Sequence, residues 1–155
     1  RHLAEELLLT RLALLPPAQK IVLARRGSAR IAGALVAEGH ADALPLALDN
    51  PSLNEGQILK ALGRPALPAP LVAAIAQHGR WSHVYAVRLA LLRQPHLPLA
   101  AALEFLPGLS VPDLRVLAGA GAVPAHVRSH LRRELEDRLR RNARPGDFRP
   151  TRRPR

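Results

Sequence analysis

The chain has 155 residues, 23 Lys and Arg against 12 Asp and Glu, and a formal net charge of +11, a length that fits one domain burying about 68 to 70% of its unfolded-chain surface. Leu and Ala supply 57 residues and Val with Ile only 13, which favours helix interiors over half-buried strands. With no Cys, disulfides, thiolate metal sites and Cys nucleophiles are excluded, and Arg11, Lys20 and Arg25 interrupt the N-terminal apolar region before it approaches the roughly 18 residues that span a bilayer. The expectation is a soluble, all-α, cytoplasmic protein. A first residue of Arg rather than Met is what a trimmed fragment would show.

Taken in chain order, punctuation by Pro, Gly and capping residues predicts helices over 3–22 (with a break at Pro16 and Pro17), 28–38, 40–49, 54–63, 68–78, 82–93, 98–106 and 111–119, then a longer one over 124–142. Starts carry Ser28, Asn54, Ser82 and Ser110, the last with Asp113 three residues on in a capping-box-like pattern. Stops carry Gly39, Gly63 and Gly79. Helices this short are marginal alone in water. Their stability has to come from stacking on neighbours, the logic of a solenoid.

The hinges between these helices repeat. "VRLALLRQPHLP" (Val87 to Pro98) aligns with "ALPLALDNPSLN" (Ala43 to Asn54), placing Pro51 against Pro95 and Leu53 against Leu97. It aligns too with "QILKALGRPALP" (Gln57 to Pro68), and a degenerate copy, "RVLAGAGAVP" (Arg115 to Pro124), keeps the final Val-Pro pair. In the three fuller copies the first proline (Pro51, Pro65, Pro95) blocks continuation of a helix and biases the residue before it away from α. An apolar residue anchors the turn, and in every copy but the one ending at Asn54 a proline (Pro68, Pro98, Pro124) stands where the next helix starts, in its first turn.

The phrase "VRLALLRQPHLPLAAALEFL" (Val87 to Leu106) resembles the leucine-rich repeat variant unit, a HEAT-like helical repeat whose consensus is similar to "VRxAVAxNPxTPxxxLxxLA". Asn50-Pro51 matches the Asn-Pro of that pattern, whereas Arg64-Pro65 and Gln94-Pro95 depart from it at the residue before Pro. The resemblance covers about residues 40 to 131. It implies an α-solenoid that binds partners on a curved face, and the iron-sulfur cluster that some members hold through cysteines is excluded here. The expected fold is therefore a right-handed α-solenoid of HEAT-like hairpins over 1–142, closed by the longer C-terminal helix as a cap, with an Arg/Pro-rich disordered tail over 143–155.

Two groups of residues stand out as candidate sites. In "HGRWSHVYAVR", Trp81, Tyr85 and Arg88 share one helix side, with Arg80 adjacent and Arg93 further along; Trp, Tyr and Arg dominate interface hot spots. The same residues fit a second reading, in which Trp81 and Tyr85 fill the groove between helices and Arg88 caps carbonyls. The other group is basic: residues 128–155 carry 11 Arg against 4 acids, so Arg141, Arg144, Arg149, Arg152, Arg153 and Arg155 form a candidate polyanion site. An Arg-rich coding bias would produce much of this excess without any ligand. Val127, Leu131, Leu135 and Leu139 make an apolar stripe on the last helix, and Glu134 to Arg138, Glu136 to Arg140 and Asp137 to Arg141 stand at i, i+4.

Chemistry is sparse. His126 and His130 with Glu134 have helical spacing for a metal but lack a second ligand cluster, and "AGAGAVP" lacks the strand and Gly-Lys-Ser/Thr of a phosphate loop. Ser28, Ser52, Ser82, Ser110 and Ser129 sit at cap, turn or surface positions without a nucleophile-elbow context. The expected function is non-catalytic: a protein-binding or assembly scaffold without cofactor, whose partner is another protein. The alternative is a nucleic-acid-binding protein that clamps the phosphate backbone with its basic face and tail.

Overall fold

The computed structural model describes residues 2–144, and among them every regular element is helical, with no strand. The tail expected to be disordered, with Arg149, Arg152, Arg153 and Arg155, lies outside the described residues apart from its first two positions. The helices are α1 (His2–Arg11), α2 (Pro17–Arg26), α3 (Ala29–Glu38), α4 (Leu44–Leu48), α5 (Glu55–Leu62), α6 (Ala69–Gln77), α7 (Tyr85–Leu92), α8 (Leu99–Phe105), α9 (Val111–Gly119) and α10 (Ala125–Ala143). None is long and apolar enough to cross a membrane.

Local chemistry sets most of these boundaries. Ser28, Asn54 and Ser110 accept from the backbone N–H three residues on, at Ile31, Gln57 and Asp113, each satisfying a donor the first turn would leave orphaned. Gly39 ends α3 in the left-handed region at φ 71°, its N–H donating to the Leu35 carbonyl at 3.1 Å, a conformation glycine adopts without a Cβ penalty. Prolines 16, 68, 98 and 124 stand at the N-caps of α2, α6, α8 and α10 with extended ψ, one position before the first-turn place expected for them. The carbonyl of each N-cap proline takes the opening hydrogen bond of its helix.

Three boundaries depart from expectation. The N-terminal segment divides at Pro16 and Pro17 as expected, behind a 3-10 turn over Leu12–Leu14, but α2 runs on to Arg26 instead of ending at 22. The segment expected as a helix over 40–49 shortens to the five residues of α4, preceded by a turn closed by the His40 carbonyl. Ser82 caps nothing: it lies within the 3-10 turn Trp81–His83, and α7 starts behind Val84.

Packing links helices two apart in the chain. One row runs α3 against α5 and α5 against α7, a second runs α2 against α4 and α4 against α6, and α8 meets α10. Cross-contacts of α3 with α4, α6 with α7 and α9 with α10 join the rows. Between them lies one apolar core from Leu12 to Leu131. Every hinge from α4 onward inserts a buried apolar side chain into it: Leu53, Leu67, Trp81, Leu97, Leu109 (with Leu106 in the same hinge) and Val123. Gly33 allows the close approach of α3 and α5, since a Cβ there would fall 2.6 Å from Gln57 Oε1 and 2.8 Å from its Cβ.

Candidate binding groove

Trp81, offered as a surface anchor, is 1% exposed, so the anchor role is corrected and the groove-filling alternative describes its position. Its Nε1–H donates to the Leu48 carbonyl at 2.9 Å, and its indole fills the hinge because a large apolar ring with one satisfied donor is stable in a core. Arg80 lies over the ring, 4.2 Å from guanidinium carbon to centroid, and donates to the Leu53 carbonyl at 3.2 Å. Arg88 donates through Nε to the Ser82 carbonyl at 2.6 Å and stands 5.2 Å from the Phe105 ring centre. Tyr85 is partly exposed, and its hydroxyl donates to Asp113 Oδ2 at 2.5 Å while accepting from Ser110 N at 3.0 Å. Only Arg93 of this group is exposed with no side-chain hydrogen bond or ion pair among the described residues. The cluster joins α4, α7 and α9; its polar groups hold the stack together.

The basic C-terminal group is drawn partly into structure as well. Arg138 pairs with Glu134 at 2.7 Å as expected, and it also donates to the carbonyls of Leu106, Pro107 and Leu109. Arg140 pairs with Glu136. Arg141 reaches the Asp137 backbone carbonyl and Glu134 in place of the expected Asp137 carboxylate. Arg132, Arg133, Arg141 and Arg144 are exposed. Among the described residues no three His, Asp or Glu side chains group to hold a metal ion.

A different surface collects unassigned chemistry. A half-open groove of ≈ 420 Å³ lies between the α1 end of the chain and helices α3 and α5. Its floor is apolar, from Leu9, Leu12 and Ala13 on one side and Ala34, Ala37 and Ala61 on the other. Polar side chains rim it: Arg30 and Glu38 from α3, Gln57 and Lys60 from α5, and Arg64 just beyond.

The charges of the rim are not equivalent. Arg30 is occupied by α1, with Glu6 at 2.7 Å and Glu5 at 3.7 Å; the hydrogen bond and charge of Arg30 hold Glu6 below the usual carboxylate range. Glu38 is paired through Oε1 with Lys20, which is only 5% exposed and also donates to the Ala13 carbonyl at 3.3 Å. Burying a lysine is costly unless its charge is paired and bonded in this way. Lys60 and Arg64 have no ion-pair partner among the described residues, and both are exposed. The net result is an apolar trough with one wall of paired charges and one wall of unpaired cations.

The hinge repeat reaches this groove through one wall only, residues 57–64 of the copy Gln57 to Pro68; the other walls come from residues 9–13 and 30–38, outside every copy. One signal was present. The chain has only two lysines among its 23 basic residues, Lys20 and Lys60, and the first stands behind this groove while the second lines it. No family model, curated protein or solved structure matches the chain.

Proposed function

We propose that the chain is an α-solenoid of HEAT-like hairpins, similar to the leucine-rich repeat variant type, and that it works without catalysis as a protein-binding and assembly module. Its partner is seated in the groove between α1, α3 and α5. The observation that carries this reading is the groove itself: a volume within the usual range for binding sites, an apolar floor and a few polar groups at the rim. The packing of helices two apart in the chain supports the solenoid reading.

The test is selection of a displayed linear-peptide library on the full chain, repeated with Ala13→Trp. Ala13 is exposed and lines the groove, so an indole there fills the trough with little cost to the core. The expected result is enriched clones whose binding falls at least about tenfold in Ala13→Trp, with the helical circular dichroism of the chain unchanged. Clones that bind both proteins equally, or no enrichment, would remove the groove as the seat.

The exposed Arg132, Arg133, Arg141 and Arg144 of α10 favour a second reading, binding of nucleic acid. Here a labelled DNA duplex would bind at physiological salt, respond to Arg132→Glu with Arg133→Glu, and ignore Ala13→Trp. Its salt slope would count the phosphates neutralised.

A further inference from the structure

From the rim and floor of the groove, we infer that its occupant is an acidic, leucine-bearing segment of a partner protein. The inference rests on the groove being the partner's seat and adds the chemistry of what sits there. Charge sets the first requirement. The one acid lining the groove, Glu38, is already neutralised by Lys20, whereas Lys60 and Arg64 carry no ion pair among the described residues. Lys60 stands in the last turn of α5 and Arg64 in the turn just beyond it, and both line the groove, so an occupant meets two separate positive charges rather than one.

The protein already contains such a segment, docked beside the groove. α1, "HLAEELLLTR", sets Glu6 and Glu5 on Arg30 of α3, while Glu5 accepts a hydrogen bond from the Ser28 hydroxyl. Leu9 of the same helix and Leu12 of the 3-10 turn after it line the groove with apolar surface. The cation on α3 is thus satisfied from within the chain by a glutamate–leucine helix, and those on the α5 side await the same chemistry. An occupant of that kind lays its apolar side chains on Ala34, Ala37 and Ala61 and its carboxylates against Lys60 and Arg64.

Other anionic ligands fit less well. A single-stranded nucleic acid needs aromatic faces for its bases, and no Trp, Tyr or Phe lines the groove. An acyl chain brings only one carboxylate to the pair of cations, and the trough is half-open rather than enclosed.

The experiment reads the composition of the clones selected on the full chain and then their affinity. Groove-dependent clones are those weakened by Ala13→Trp. They are expected to carry more Asp and Glu than Lys and Arg together with Leu-type residues. The best of them, made as a fluorescein-labelled peptide, should bind at least about tenfold more weakly to the double variant Lys60→Glu/Arg64→Glu, and its binding should weaken several-fold as salt rises from about 50 to 300 mM. Both substituted residues are exposed, and the emission of the buried Trp81 reports that the variant is folded. Groove-dependent clones without an acidic excess, or with unchanged affinity for the charge-reversed variant, overturn this inference and leave the groove as a partner site. Tighter binding of oleate or oligo-dT than of any acidic clone, lost in Ala13→Trp, overturns it in favour of that ligand. Absence of any groove-dependent clone defeats both.

Discussion

Asn50, at 2% exposure, is with Lys20 one of two buried polar or charged residues among the described residues, and its side chain bonds to the chain itself. Its amide donates to the carbonyls of Ala24 and Gly27 at 2.7 and 3.1 Å, and its Oδ1 accepts from Ser52 N at 2.8 Å. The residue before the hinge proline thus closes the open end of α2 as well as its own turn. Gln94 repeats the device, donating to the Leu62 carbonyl at 2.9 Å. A second residue-scale device titrates. Hydrogen bonds from the Tyr85 hydroxyl, then from the Ser110 hydroxyl, with a smaller contribution from the Arg93 charge, hold Asp113 below the usual carboxylate range. A carboxylate depressed in the folded state stabilises it above the unfolded pKa, and that contribution is lost as pH falls through the folded value. Tyr85→Phe is therefore expected to raise the Asp113 pKa toward its ordinary value in a carbon-13 NMR titration. The gap in urea midpoint between wild type and variant should be wider at pH 7 than at pH 2. A gap independent of pH would show that the hydroxyl acts only through the Ser110 N–H.

At the scale of the element, hinges and helix ends follow one plan: a buried apolar plug, a capping residue or proline after it, and a side chain that satisfies carbonyls of an earlier element. Asn54 and Ser110 cap α5 and α9, and Pro68, Pro98 and Pro124 stand at the N-caps of α6, α8 and α10; Ser82, midway between Asn54 and Ser110, caps nothing. The hinge 63–68 departs furthest. Ala66 sits at φ 54° and Arg64 is exposed, in keeping with a hinge that lacks Asn or Gln before its proline. Arg138 shows how the plan ends the chain, since α10 is fastened to the turn after α8 by bonds to three carbonyls. Hydrogen bonds to charged groups contribute about 1.5 to 3 kcal/mol, so Arg138→Ala should lower stability by about that amount in urea denaturation. Arg132→Ala, on the exposed side of the same helix, should stay within about 0.5 kcal/mol. Equal effects would mean that the carbonyl contacts contribute nothing beyond helix propensity. In contrast α1 buries no residue, with Leu3 and Leu7 at 82% and 60% exposure, and it is held through its acids and the turn behind it.

Across the whole molecule, contacts join elements close in the chain, so stability should be distributed along it rather than shared uniformly. Leu131 is fully buried where α10 covers α9. Leu131→Ala should cost about 2 to 5 kcal/mol locally. In native-state hydrogen exchange it should release α9 and α10 while α2 and α3 keep their protection. Uniform acceleration from α2 to α10 would instead mark the chain as one cooperative unit. The charge distribution belongs to the same scale: two of the four acids toward the C-terminus, Glu134 and Glu136, are taken up by Arg138 and Arg140, and the basic excess there stays with the remaining arginines. The cations left unpaired at the groove, Lys60 and Arg64, lie in the half of the chain where the sequence shows no basic stripe.

Residue order alone determined the helical class, nearly all element boundaries and the position of every hinge. Caps, prolines and apolar plugs act on backbone within one or two turns, so Ser28, Asn54, Ser110 and the prolines 16, 68, 98 and 124 announce themselves. What only the tertiary structure decided was the destination of the polar and aromatic side chains. Trp81 and Arg88 fit both surface anchors and groove-filling or carbonyl-capping groups in the sequence, and Arg80 and Arg138 read as surface groups; in the structure Trp81, Arg80 and Arg138 reach carbonyls 27 to 33 residues away, and Arg88 reaches one six residues away. A buried carbonyl at a helix end needs a donor, and which donor supplies it depends on how helices two apart settle against each other. The same packing assembled a groove from three separated segments and left Lys60 and Arg64 unpaired on its edge.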